Sequence, residues 1–177
     1  MFAVPDNTIA LTERPVLRHP VRVALEFAAD RDRWRHLLRY DPDERFSALV
    51  EARDDEEIWL MGWLPGQHTD LHDHGHSTGA FTVVSGHLAE TVARRGVTEA
   101  HPLAPGQSRV FGPGYVHQVR NAGPDPAISV HVYRSGGRVM RAYHLDPVTG
   151  PVRASVSEGE ELSGRSSRVP SSSAHLL

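Results

Sequence analysis

The sequence predicts an all-β barrel or sandwich preceded by a short helical region, and three features carry that expectation. From about Arg45, segments of five to eight residues rich in β-branched and aromatic types alternate with Gly/Pro punctuation, as in EIWLMGWLPG, GQSRVFGPG and AISVHVYRSGG. Short strands at regular spacing are the pattern of sandwiches and barrels. Before them, VRVALEFAADRDRWRHLLRY sets Val23, Leu25, Phe27, Trp34, Leu37 and Leu38 among charges, which predicts one or two amphipathic α-helices over about residues 20–40. After them, PVRASVSEGEELSGRSSRVPSSSAHLL is serine-rich and aperiodic, which predicts a disordered tail.

Taken in order, residues 1–44 form an irregular lead-in with Pro5 and Pro15, followed by the helices that pack on the barrel, and DPDE at 41–44 breaks the helical pattern. Residues 45–150 form the barrel and residues 151–177 the tail.

Composition narrows the function classes. The formal charge is −3, so nothing points to nucleic acid or an anionic membrane. No apolar run approaches the roughly 20 residues needed to span a bilayer. The opening MFAVPDNTIALTERP lacks a basic stretch followed by a long apolar one, so no signal peptide is expected and a cytoplasmic protein is the default. The chain has no cysteine, which excludes disulfides and cysteine nucleophiles, and all 19 of its Lys+Arg residues are arginine. Its 12 histidines are the unusual count, since histidine is the commonest metal ligand.

Three of those histidines fall in HDHGHSTGA at 72–80. Residues two apart on a strand share a face, so His72 and His74 can meet one metal at about 2.1 Å while Asp73 points away. His76 continues the alternation, but Gly75 and Ser77-Thr78-Gly79 end the strand, so it is left out of the set. Further on, Ser129, His131 and Tyr133 alternate along SVHVY and line one face, where a hydroxyl, an imidazole and a phenol can form a hydrogen-bond relay.

The frame around the histidines resembles the two motifs of the cupins. Gly66, His72, His74, Gly79 and Gly86 are spaced as in the first motif, and Gly114, His117 and Asn121 as in the second. The resemblance implies a small jelly-roll β-barrel in which His72, His74 and His117 converge as metal ligands. Most metal cupins carry a glutamate ligand where this chain has Gly79. Three neutral imidazoles leave a divalent metal its full charge and open positions for an anionic substrate and O2, which suits Fe(II).

WLPGQHTDLHDHGHSTGAFTVVSGHLAET at 63–91, FGPGYVHQVRN at 111–121 and SVHVY at 129–133 together resemble the cysteine dioxygenase type I family, in its bacterial form. The resemblance implies oxidation of L-cysteine by O2 to cysteine sulfinate. It implies that Tyr133, held by His131 and Ser129, serves catalysis, and that Arg45 holds the substrate carboxylate. Asp43 stands where the family has a tyrosine two residues before that arginine. Mammalian members cross-link the tyrosine to a cysteine at the position of Gly79, and no such thioether can form here. Relatives that oxidise 3-mercaptopropionate use an arginine shortly after the tyrosine strand, a role for which Arg141 is the candidate.

The partners expected are thus a small thiol and O2, not nucleic acid or a membrane, and a monomer is compatible with them. Two rivals stand beside the cysteine reading: a dioxygenase of 3-mercaptopropionate or another small thiol, and a non-catalytic metal-binding cupin that binds or senses a small ligand.

Overall fold

The computed structural model describes residues 18–53, 55–95, 97–135 and 138–154. Eleven strands among them form two facing sheets: β1 (Phe46–Arg53), β2 (Glu56–Trp63), β3 (His72–Asp73), β4 (Thr78–Ser85), β5 (Leu88–Arg94), β6 (Val97–Leu103), β7 (Ser108–Phe111), β8 (Val116–Arg120), β9 (Ala127–Arg134), β10 (Arg141–Asp146) and β11 (Gly150–Arg153). One sheet has the order β1-β2-β9-β4-β7 and the other β11-β10-β3-β8-β5-β6, and every pairing within them is antiparallel.

Strands β2 and β9 sit in the middle of the first sheet and are buried on both faces. Ile58, Leu60, Ile128, Val130 and Val132 point outward into a cluster with Val23, Ala24, Phe27 and Trp34. Trp59, Met61, Trp63 and Tyr133 alternate with them and point between the sheets, onto Phe81, Phe111 and Val119. The period of two thus gives one strand two different cores. Phe27 is fully buried in the outer core, so truncation to alanine would cost about 3–5 kcal/mol.

The N-terminal segment departs from the expectation of helices over 20–40. It forms a single ten-residue helix, α1 (Pro20–Ala29), and a 3-10 turn at Arg31–Arg33. Pro20 opens the helix, where its missing N–H is not needed, and the Val21 amide donates to His19 Nδ1. Asp30 ends it. Trp34 then plugs the outer core, and its indole N–H donates to the Phe27 carbonyl at 2.7 Å. This takes up one of the carbonyls left free at the helix end, and the apolar residues that suggested a longer helix instead serve the sheet: Leu37 and Leu38 pack against the outer cluster.

The boundary expected at residue 150 also moves. Val152 pairs with His144 and Arg153 with Tyr143, so the sheet runs three residues into the expected tail. The Val148 and Thr149 amides donate to Asp146 Oδ1, and Gly150 takes a positive φ of 87°, so DPVTG is the turn of a hairpin. The expected disorder of 155–177 and the irregular lead-in up to 17 lie outside the described residues. No helix among the described residues is long and apolar enough to cross a membrane.

Candidate metal centre and its cavity

His72 and His117 face each other across the β3–β8 pairing, and His74 follows β3 at once. All three side chains are buried. Their ligand nitrogens lie within 4.8 Å of one another, and His74 Nε2 and His117 Nε2 are 3.1 Å apart. His76 is exposed and outside the group.

The other ring nitrogen of each histidine has a partner. His72 Nδ1–H donates to the Asp70 carbonyl at 2.8 Å, His74 Nδ1–H to the Val139 carbonyl at 2.8 Å, and His117 Nδ1–H to Glu90 Oε1 at 2.7 Å. Carbonyls and carboxylates only accept, so in the neutral rings each Nε2 keeps a bare lone pair. Two lone pairs at 3.1 Å cannot bond to each other, but two ligands at right angles on one ion at about 2.1 Å lie about 3 Å apart. Burial and the neighbouring imidazoles hold His72 well below the usual histidine range and His74 at about 4, so both are neutral at pH 7. The donor set fits a metal ion.

Two buried acids stand beside these ligands, and one of them, Glu90, braces His117 directly. Glu90 lies on β5 and receives Arg109 Nε–H and, at 3.1 Å, the Tyr115 hydroxyl, besides His117. Burial would raise its carboxyl, but His117 and Arg109 outweigh that and lower it. Asp73 was expected only to point away from the metal. It does so into a buried cradle, where Arg141 donates two bonds of 2.6 Å, Tyr143 donates one of 2.8 Å and the Gly75 amide one of 3.0 Å.

Opposite the histidines, β9 presents the relay. Trp63 Nε1–H donates to Ser129 Oγ at 2.9 Å, and Ser129 Oγ lies 2.8 Å from His131 Nε2. The serine hydroxyl thus joins the Trp63 indole to the His131 ring. On the far side of that ring, His131 Nδ1 faces the Tyr133 hydroxyl at 3.4 Å. Burial, with Arg45 and Arg138 nearby, keeps His131 far below its usual range, and burial raises Tyr133.

A small cavity separates the two halves, lined by His72, His74 and His117 on one side and by His131, Tyr133 and Trp63 on the other. Arg45 lines it too. Its guanidinium stacks on Trp63 at 4.8 Å, and its Nη1 touches Met61 Sδ at 2.7 Å. Burial, then Arg138, brings Arg45 down to about 10, still cationic at neutral pH.

Arg141, the other arginine singled out in the sequence, does not line the cavity, because Asp73 holds it in a two-pronged pair. The cavity's second arginine is Arg138, which the sequence reading missed. It stacks on Trp59 at 4.8 Å. Trp59 and Trp63, expected to be core residues, are buried and also serve as platforms for the two cations.

The sequence profile described as cysteine dioxygenase type I matches residues 20–145, more than half of the chain. The chain belongs to the cysteine dioxygenase type I family. Among solved structures, an uncharacterized conserved protein with a double-stranded β-helix domain from Klebsiella pneumoniae is similar at 28% identity and TM-score 0.51, over 60% of this chain and 90% of that one. A protein from Thermus thermophilus is 31% identical over 56% of this chain and 91% of that one, with TM-score 0.48. A recombinant oxalate oxidase in complex with glycolate shares the fold at 16% identity and TM-score 0.51, over 58% of this chain and 56% of that one. Within the cysteine dioxygenase type I family, then, the described residues of this member form a two-sheet β fold with one short helix and a group of three histidines that could hold a metal ion.

Proposed function

We propose that this protein is a thiol dioxygenase that adds both atoms of O2 to the sulfur of L-cysteine, giving cysteine sulfinate, with Fe(II) held by His72, His74 and His117. The observation that carries this reading is the placement of the Tyr133 phenol, at the end of the Ser129–His131 chain, in the same small cavity as three bare imidazole nitrogens.

The overall change, R–SH + O2 → R–SO2H, balances without an outside reductant: two S–O bonds form, the O–O bond breaks, and sulfur supplies the four electrons. Bound Fe(II) would bring thiolate and O2 together at one centre and carry electrons between them. The protein supplies position and protons. Arg45 holds the substrate carboxylate with its planar fork, which fixes the sulfur relative to the histidines. Its present contacts, a thioether and an indole face, leave room for that anion. Tyr133 presents its hydroxyl proton to the reacting atoms, while His131 and Ser129 keep the phenol oriented. Trp63, Met61 and Val119 wall the cavity with apolar surface and keep bulk water out.

A second reading, oxidation of 3-mercaptopropionate or another small thiol, is favoured by Arg138, a further cation on the cavity wall. The test is oxygen consumption by anaerobically Fe(II)-loaded protein, with L-cysteine and 3-mercaptopropionate in parallel and the sulfinate identified by mass spectrometry. Uptake matched to cysteine sulfinate supports the first reading, and preference for 3-mercaptopropionate the second. Silence with every small thiol, despite bound iron, overturns both and leaves a protein that binds or senses a ligand.

A further inference from the structure

Arg109 reaches the metal centre from the other sheet. It stands on β7, paired with Phe81 of β4, whereas Glu90 and His117 stand on β5 and β8 of the facing sheet. Its Nε–H donates to Glu90 Oε2, and its Nη2–H donates to the Tyr115 hydroxyl at 3.0 Å. That hydroxyl donates to the same Oε2 at 3.1 Å, so the guanidinium and the phenol close a ring on one carboxylate oxygen. Oε1 is left to His117 Nδ1–H, at 2.7 Å. Among the described residues, Arg109 is the only arginine paired with this fully buried carboxylate.

The two oxygens of Glu90 thus have opposed effects on His117. A carboxylate that accepts the outer N–H of a metal-ligating imidazole makes that ligand more basic. The more of its charge it keeps free, the more the imidazole gives to the ion. Arginine stays protonated, and on the far oxygen it draws off part of that charge. Burial leaves little water to screen the effect. His72 and His74 are braced instead by the Asp70 and Val139 carbonyls, which carry no net charge. His117 is therefore the ligand whose strength an ion pair governs.

We propose that Arg109 is a positioning residue for the metal centre, which holds Glu90 against His117 and withdraws charge from it, biasing a bound iron ion toward the ferrous state. This role rests on iron at the three histidines and not on the thiol that is oxidised.

The test compares Arg109→Gln, Arg109→Lys, Tyr115→Phe and Glu90→Gln in the full chain. Redox titration of iron-loaded protein, without thiol, reads the Fe(III)/Fe(II) potential. Arg109→Gln should lower it by about 59 mV, a roughly tenfold gain in preference for Fe(III). Tyr115→Phe removes an uncharged donor from the same oxygen and should lower it less. Glu90→Gln should raise it, because the charge itself is gone. Arg109→Lys should lie near the wild type. Competition for Co(II) against a chromophoric chelator gives a readout free of redox change. There Arg109→Gln should stay within about threefold of the wild type, whereas Glu90→Gln falls roughly tenfold.

A bracing role alone would move Arg109→Gln and Glu90→Gln in the same direction. That result, an unchanged potential in Arg109→Gln, or a failure of lysine to restore it would overturn the proposal. Arg109 is 29% exposed and lines an open groove with His101, Gln107 and Ser108, so glutamine leaves no buried hole. Circular dichroism checks the fold, and Tyr115→Phe set against Glu90→Gln repeats the sign test independently. Opposite shifts in a protein that oxidises no thiol would keep the role of Arg109 and remove the dioxygenase. Oxidation of cysteine with shifts of one sign would do the reverse, and a wild type that holds no iron would remove both.

Discussion

Phe111 occupies the space that any side chain at Gly79 would need. A Cβ on Gly79 would come within 2.6 Å of the Phe111 ring and would also collide with the Val132 carbonyl oxygen. The Phe111 ring in turn packs 4.4 Å from His74 and 5.4 Å from Tyr133, centre to centre. The missing glutamate ligand and the missing thioether cysteine thus share one steric cause: both would project from a position already filled.

Gly79→Glu should therefore not add a fourth ligand. It should instead destabilise the metal-free protein by about 1–3 kcal/mol or more, as overpacking does, seen as a lower denaturation midpoint. Pairing it with Phe111→Ala should recover part of that loss. A single Gly79→Glu variant that folds as well as the parent and binds metal more tightly would refute the steric account.

Glu90 fixes the ring of His117 by accepting its Nδ1–H at 2.7 Å. Such carboxylate–histidine pairs typically account for about 10–100-fold in metal affinity. Glu90→Gln keeps an acceptor but removes the charge, so affinity should fall by roughly tenfold, within the range for such partners. Competition against a chromophoric chelator measures it.

Asp73 gives a stability term with a defined pH window. Burial would raise its carboxyl, but Arg141, the Gly75 amide and Tyr143 outweigh that and hold it at about 2. A folded value below the unfolded one, about 3.9, means stability present above pH 4 and lost as the pH falls toward 2. The term is on the order of 2 kcal/mol. Denaturant titrations of metal-free wild type and Asp73→Asn should differ by about this much at pH 7 and converge near pH 2. A gap that is independent of pH would contradict the assignment.

Tyr133→Phe keeps the ring and removes the hydroxyl from the cavity wall. Loss of a positioned proton donor should lower kcat by about a hundredfold with a smaller change in KM. Ser129→Ala, which breaks the relay on the far side of the His131 ring, should reduce kcat less. Steady-state oxygen consumption across the three proteins orders them.

Legibility followed periodicity. His72, His74 and the SVHVY strand could be read because alternation fixes which side chains share a face, and the strands around them are bounded by Gly and Pro. Glu90 carried a weaker signal of the same kind. It stands in the inward phase of β5, between Leu88 and Val92, and a lone acid in an apolar phase asks for a buried partner. Arg138 lies between β9 and β10, where no period tells direction, and Arg141, the candidate taken from the resemblance, belongs to Asp73. The helical stretch misled because Trp34, Leu37 and Leu38 are apolar for the sake of the sheet beneath them. The last strand was hidden by its serine-rich continuation.

The centre is divided between the sheets. His72 and His117 belong to β3 and β8 of one, whereas Ser129, His131, Tyr133 and the tryptophans under the arginines belong to β9 and β2 of the other. On the function proposed above, metal capture and substrate choice are thereby written on separate walls. Descendants of such a chain would change which thiol they accept by altering one wall, while the other went on holding the same ion. Substrate range can then drift through evolution at a pace of its own, with the metal site as the inherited constant.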